Sequence, residues 1–497
     1  MADLILYTLL WTTVCLLWLR FAPAFRRDRE LYVVTQAGFL LKVAVGCAFL
    51  YIYKVFYVAS DAYAFLEDSR ILNEVFYSSK KDFFCFLTGL SNTPEMVQRH
   101  LAETTLWSKG PSTLFNDSQN VIRINSLIYF VSHGNAYIHA VFMSLFATLG
   151  LRDIAIAFRE RIKLSPKIVL AGLILIPSVL FWTSGILKEP FMLLGIGLLL
   201  RGLLSAEIPW KRTVRILSGA LILLCIKPYL IVCIALGGCY FAFSLLLFRQ
   251  RPWLGFAGYI GLLSVVLLVA PRLRNAITEN LTVKQEDSYN VGKGGLYVIR
   301  DSVKFYYFQY ADIPKLKIRD SIVVLQQPAH AQEKWIYQRS VFEPVYLTPN
   351  QEKWKLYLLL DSSNSLIQTT PINHSFAQLM RNTPEALVNA MLRPFPTDSG
   401  SAFKYPAMVE VFLAVGLIVF SLIFRRRLSI PDRRLLISMS IFALALLLLV
   451  GWTTPVTGAI VRYRIPAYIA IFIISIFVTR IDILERFLIP KKWRKTP

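Results

Sequence analysis

The sequence predicts an all-α polytopic membrane protein with a large extracytoplasmic loop that forms a small mixed α/β subdomain. Three observations predict it. Of 497 residues, 55% are hydrophobic and only 17% charged, and mean hydropathy is +0.51, outside the balance of an ordinary water-soluble domain. Apolar runs of about 20 residues, the length a helix needs to cross the hydrocarbon core, recur along the chain. Lys and Arg outnumber Asp and Glu by 54 to 31, a net charge of +23, and much of that excess lies in short segments between the runs. Disorder, collagen, a small disulfide scaffold and a soluble enzyme are thereby excluded.

About eleven spans are expected, at 4–21, 32–57, 125–150, 168–186, 190–204, 214–227, 229–248, 253–270, 407–424, 435–452 and 465–480. The pairs 168–186 with 190–204 and 214–227 with 229–248 are so closely spaced that each reads as a helical hairpin or a re-entrant element. One orientation puts Arg26 to Arg29, Arg152 to Lys167, Arg201 to Arg215, Arg249 to Arg251, Arg425 to Arg434 and Arg480 to Lys495 all inside. The N-terminus is then outside, the C-terminus is cytoplasmic, and 59–122 and 271–406 are outer loops. Three regions follow: an N-terminal transmembrane region 1–270 that includes the loop 59–122, the loop subdomain 271–406, and a C-terminal transmembrane region 407–497 with a basic tail.

Within the second loop, alternation from Tyr297 to Tyr310 and from Ile318 to Leu325 predicts short strands, and Leu356 to Leu360 is too short to span. Gly292 to Gly295 lacks the Walker A spacing and reads as a turn. Five of the six cysteines lie in apolar stretches and only Cys85 in a polar loop, so no disulfide framework or zinc spacing is present. The basic excess serves topology, and no nucleic-acid module accompanies it. His133 and His139 are six residues apart and do not share a helical face; no metal or other cofactor is assigned.

Under this topology the interesting polar residues share the outer side. Asp61, Glu67 and Asp68 follow the second span; Asp61 and Asp68, seven apart, would share a helical face. A carboxylate there can take the proton of a hydroxyl nucleophile, and Asp61 is the first candidate. Competing with this is a surface role, because Arg70 has ion-pair spacing to both Glu67 and Glu74. Lys188 and Glu189 interrupt apolar sequence close to lipid, where ionisable groups are costly. Lys188 suits a phosphate, with Glu189 orienting it or favouring a helix N-terminus; Lys227, before Pro228, is a further outer cation or a lysine snorkelling to headgroups. Arg462, Tyr463 and Arg464 lie at the outer mouth of the last two spans, and Arg393 closes the large loop at the same level. Guanidinium groups grip phosphate oxygens in a bidentate fork and stay charged at any relevant pH.

Taken together, the early Asp61, the Pro177 to Glu189 element (Pro-Ser-x-x-Phe-Trp-x-Ser-Gly-x-x-Lys-Glu) and Arg462 to Pro466 (Arg-Tyr-Arg-x-Pro) resemble bacterial envelope glycosyltransferases of the GT-C superfamily. The resemblance implies transfer of a sugar from a polyprenyl-phosphate or polyprenyl-pyrophosphate donor to a glycan or lipid-linked acceptor outside the membrane. It implies that Asp61 serves as base or orients a metal, with Glu67 and Asp68 as candidates, and that phosphate is held by Lys188, Arg462 and Arg464. The expected location is a bacterial plasma membrane. The late large loop also looks like O-antigen polymerases and ligases, the alternative enzyme reading; a transporter or a nonenzymatic assembly subunit is the alternative of another class.

Overall fold

The computed structural model describes residues 2–22, 25, 29–56, 60–90, 92–107, 113–300, 304–335, 343–350, 352–480 and 482–483. The chain divides into two compact units, one of Met1–Ala235, Gly416–Asp432 and Ile469–Pro497, the other of Leu236–Val415 and Arg433–Tyr468. These boundaries fall inside helices and cut across the three regions expected from loop lengths.

The first unit opens with two apolar helices, α1 (Ala2–Phe21) and α2 (Arg29–Phe56). Polar sequence follows as α3 (Asp61–Ser78), α4 (Lys80–Thr88) and α5 (Pro94–His100). Ser60, Ser79 and Thr93 start these three by accepting a hydrogen bond from the backbone N–H three residues on. Phe65, Leu72, Phe83, Phe86 and Trp107 bury themselves with Val121 and Ile122 of α6 (Asp117–Ser132). Next come α7 (Ala136–Ala157), α8 (Pro166–Leu175), α9 (Pro177–Trp182), α10 (Glu189–Leu204), α11 (Pro209–Ile226) and the start of α12 (Pro228–Leu247).

Glycine lets α7, α10 and α11 approach closely. A Cβ at Gly150 would lie 2.3 Å from the Leu193 carbonyl oxygen, and one at Gly219 would lie 2.6 Å from the Leu199 nitrogen. Such small-residue seams maximise dispersion between apolar helices, for which hydrophobic burial gives little drive inside lipid. At one end of the same three helices an ionic network joins them. Arg201 meets Asp153 and Glu207, each at 2.6 Å, and Arg215 meets Glu207 at 2.8 Å and Asp153 at 3.4 Å. Burial pushes the Glu207 carboxyl up, but Arg201 and Arg215 outweigh it and hold the group below the usual carboxylate range.

In the second unit α13 (Pro252–Val269) precedes α14 (Pro271–Lys293), which ends at Gly294 with φ +71° and turns into a sheet. Its strands are β1 (Gly295–Ile299), β2 (Lys304–Gln309), β3 (Leu316–Arg319), β4 (Ile322–Leu325), β5 (Ala329–Trp335), β6 (Glu343–Leu347) and β7 (Trp354–Leu360). They form one antiparallel sheet of order β3-β4-β7-β1-β2-β5-β6. Alternation works as it should: Leu296, Val298, Tyr306 and Phe308 pack with Trp354, while Tyr297 and Tyr307 pack on the opposite face. The Tyr307 hydroxyl donates to the Gly294 carbonyl at 2.7 Å, tying the sheet to the end of α14. The remaining helices are α15 (Phe376–Arg381), α16 (Thr383–Leu392), α17 (Lys404–Ile423), α18 (Ile430–Thr453), α19 (Thr457–Tyr463) and α20 (Ile465–Val478).

The protein is thus predominantly helical, with a small antiparallel sheet and the helices of a membrane protein. Among the described residues seven helices are long and apolar enough to cross a membrane, eight if the pair α19 and α20, bent by 52°, is one span. Eleven were expected. The stretch 125–150 is two helices, because His133 and Gly134 take left-handed backbone between α6 and α7. The stretch 168–186 breaks at Pro177, α10 has only 16 residues, and α11 carries Lys211, Arg212 and Arg215.

Candidate functional site

The first unit brings Lys188, Glu189 and Lys227 together and adds two residues that sequence reasoning missed, Asp117 and Arg123. The aromatic half of the Pro177 to Glu189 element is a fastening: the rings of Phe181 and Trp182 meet Phe49 of α2 at centroid distances of 5.0 and 6.1 Å. Lys42 of α2, fully buried, donates to the Val179 carbonyl at 3.1 Å and to Thr183 Oγ1 at 2.6 Å. So anchored, the chain turns and restarts as α10, with Lys188 at the cap position and Glu189 as its first residue.

Two ion pairs diverge from that turn. Lys188 Nζ lies 2.7 Å from Asp117 Oδ2, in the first turn of α6. Glu189 Oε1 accepts from Lys227 Nζ at 2.8 Å, with the two side chains 0% and 4% exposed. Lys227 sits where α11 ends and Pro228 begins α12, a break that proline enforces because it has no N–H to continue the helix. Glu189 therefore pairs with Lys227, while its neighbour Lys188 pairs with Asp117.

Beside these pairs lies a cavity of about 470 Å³ lined mostly by apolar side chains, among them Phe146, Phe191, Leu194 and Ile226, with Asn120 and Arg123 as its polar lining. Ile226 and Phe191 are close sequence neighbours of Lys227 and Glu189. Asn120 donates to the Leu114 and Cys225 carbonyls at 2.6 and 2.9 Å, stitching α6 to α11. Arg123 is buried; its Nε donates to the Phe86 carbonyl at 2.7 Å, and its Nη1 donates to Asn120 Oδ1 at 2.7 Å and to the Thr113 carbonyl at 3.1 Å. Its Cζ lies 5.0 Å from the Trp107 ring centroid, and burial pulls its pKa down to about 10.

The three early acids separate. Asp61 is exposed at the start of α3, and Glu67 is an exposed partner of Arg70, which also reaches Glu74. Asp68 is fully buried and accepts hydrogen bonds from the backbone N–H groups of Thr105, Leu106 and Trp107 at 2.7 to 2.9 Å. Burial raises the Asp68 pKa and these hydrogen bonds oppose the rise. Asp61 and Asp68 do lie on one helix at the spacing that shares a face, but Asp61 at its exposed start meets solvent while Asp68, two turns on, is buried.

In the second unit Arg393 and Arg464 meet through the backbone. Arg464, fully buried, donates to the carbonyls of Ala390 and Arg393 at 3.2 and 2.5 Å, and its Cζ lies 4.4 Å from the Tyr468 ring centroid. Arg393 donates to Asn389 and pairs with Asp398. Arg462 and Tyr463 are half-buried, with the guanidinium 5.9 Å from the Tyr463 ring centroid. Among the described residues no group of three or more His, Cys, Asp or Glu is placed to hold a metal.

No protein-family model, no curated protein and no solved structure matches this chain.

Asp117 was hidden because its partner lies 71 positions away (188 − 117). The signal for Arg123 was the polar run Gln119, Asn120, Arg123, Asn125 and Ser126 entering what otherwise reads as a span.

Proposed function

We propose that this protein is an integral-membrane glycosyltransferase, moving a sugar from a polyprenyl-phosphate or polyprenyl-pyrophosphate donor to a glycan or lipid-linked acceptor. The observation that supports it is the two-lysine, two-carboxylate cluster of Asp117, Lys188, Glu189 and Lys227 next to an apolar cavity. Of these the Glu189 and Lys227 pair is deeply buried, and charges so placed are expensive and mark functional positions in membrane proteins.

In the reaction, the acceptor hydroxyl oxygen bonds to the anomeric carbon while the bond from that carbon to the phosphate oxygen breaks. The phosphate departs with the electron pair, and lysine or arginine neutralises its growing charge, a major share of the catalytic task. Asp61 takes the hydroxyl proton. Lys188 and Lys227 in the first unit, and Arg393, Arg462 and Arg464 in the second, are each proposed as phosphate-binding cations. The same reading puts the chain in a bacterial plasma membrane, N-terminus outside and C-terminus cytoplasmic. Its eleven spans take α8 with α9, α10 and α11 as crossing segments beside the seven candidates and the bent pair.

The test is transfer from a polyprenyl-phosphate sugar by membranes carrying Asp61→Ala, Arg462→Ala or both. Loss of a general base lowers turnover about 10²–10⁴-fold. Glycan transfer retained by a stably folded double variant refutes the proposed site.

A further inference from the structure

The cavity beside Arg123 has three properties that belong together. It is apolar along most of its wall, and its volume of about 470 Å³ lies within the roughly 300–1,000 Å³ usual for small-molecule sites. It opens onto an apolar surface: the lining residues Leu127 and Leu221 are 45% and 54% exposed, and Val214, Leu217 and Leu224 continue that exposed stripe along α11 at helical spacing. Apolar surface of this kind marks contact with lipid or a partner.

The third property is a cation with no carboxylate partner among the described residues. Arg123 is only 3% exposed, and among the described residues its hydrogen bonds go to two carbonyl oxygens and an amide oxygen, with none to a carboxylate. Its Nη2 has no hydrogen bond among the described residues. A guanidinium removed from water with no counter-charge is among the costliest arrangements in a protein. The neighbouring cations differ: Lys188 and Lys227 each have a carboxylate.

From this we infer that the cavity is a lipid-binding site: a hydrocarbon chain enters past Leu127 and Leu221 and fills the apolar wall, and a phosphate on that lipid supplies the counter-charge to Arg123. Phosphate suits the guanidinium because its anionic oxygens accept charge-assisted hydrogen bonds, and Nη2 is the nitrogen left to give them. Asn120, held against both α6 and α11, fixes Arg123 Nη1 in place before the lipid arrives. The inference concerns binding alone and stands whether or not the chain transfers sugar.

The experiment is native mass spectrometry of the full chain after incubation, in separate arms, with a polyprenyl phosphate, phosphatidylglycerol, an uncharged polyprenol and inorganic phosphate alone. One retained phosphate-bearing lipid per chain is expected, with the polyprenol and the inorganic phosphate each bound about tenfold more weakly or less. Retention of either phosphate-bearing lipid supports the site, and the stronger arm identifies the source. Arg123→Gln removes the charge and is expected to lower retention about tenfold or more. Because Arg123 also holds loop carbonyls, Leu194→Trp provides a second test by filling the cavity with the guanidinium intact, and it too should expel the lipid. Wild-type chain without lipid, polyprenol or inorganic phosphate bound as well as the phosphate-bearing lipid, or Leu194→Trp retaining lipid at the wild-type level would overturn the inference.

Discussion

Residues of one chemical type do different work in this chain, and burial decides which. Asp68 ties down the backbone of Thr105 to Trp107. Asp68→Ala leaves three N–H groups without their acceptor, at about 1–3 kcal/mol each where they stay dry, and thermal unfolding in detergent should show a large loss of stability. Asp61→Ala, at an exposed position, should stay within about 0.5 kcal/mol of wild type in the same assay. Loss of turnover in the Asp61 variant thus reports chemistry, whereas loss in the Asp68 variant reports a fallen loop. Removing the ammonium of the buried pair by Lys227→Met should destabilise by about 3–5 kcal/mol, and adding Glu189→Gln should recover much of it. A double variant no more stable than Lys227→Met would show that Glu189 does not depend on that lysine. Lys188 and Glu189 were legible in the sequence because ionisable residues interrupt apolar runs only for a reason. Their partners were not, since pairing depends on how α6, α10 and α11 pack.

At the level of elements, the glycine seam sets how near α7 and α10 lie. Gly150→Val puts a branched side chain where even a Cβ meets the Leu193 carbonyl at 2.3 Å, so overpacking should lower stability by about 1–3 kcal/mol in a chemical denaturation series. Gly238→Ala is the control: nothing lies within 4 Å of its Cβ, and the change should be neutral or slightly stabilising. Strands β1 to β4 were readable from period-2 alternation, which survives in the observed register of Tyr297 with Tyr307. The break between α6 and α7 was not, because an apolar count over 20 residues passes over a turn as short as His133 and Gly134. Arg123 escaped for a related reason: a cation just before an apolar run looks like a loop residue until the helix around it is seen to be buried.

For the whole molecule, the Asp153, Arg201, Glu207 and Arg215 network predicts a pH dependence. Glu207 has a folded-state pKa below its unfolded value, so its contribution to stability is fully present above the ordinary carboxylate range and is lost as pH falls through the depressed value. The thermal midpoint of the purified protein should hold steady from neutral pH down to about 5 and then decline. Glu207→Gln should flatten the part of that decline due to this group, and an unchanged acid profile would remove Glu207 as its source. Membrane class was plain from composition, yet the number of crossings was not, since short or basic helices such as α10 and α11 satisfy no simple hydropathy rule.

The split allegiance of Lys188 and Glu189 carries one more consequence. Successive residues at a helix start point roughly 100° apart, and here each grips a different neighbour, α6 on one flank and the junction of α11 with α12 on the other. The head of α10 is therefore pinned from two sides at once, by two consecutive residues and two separate carboxylate–ammonium contacts.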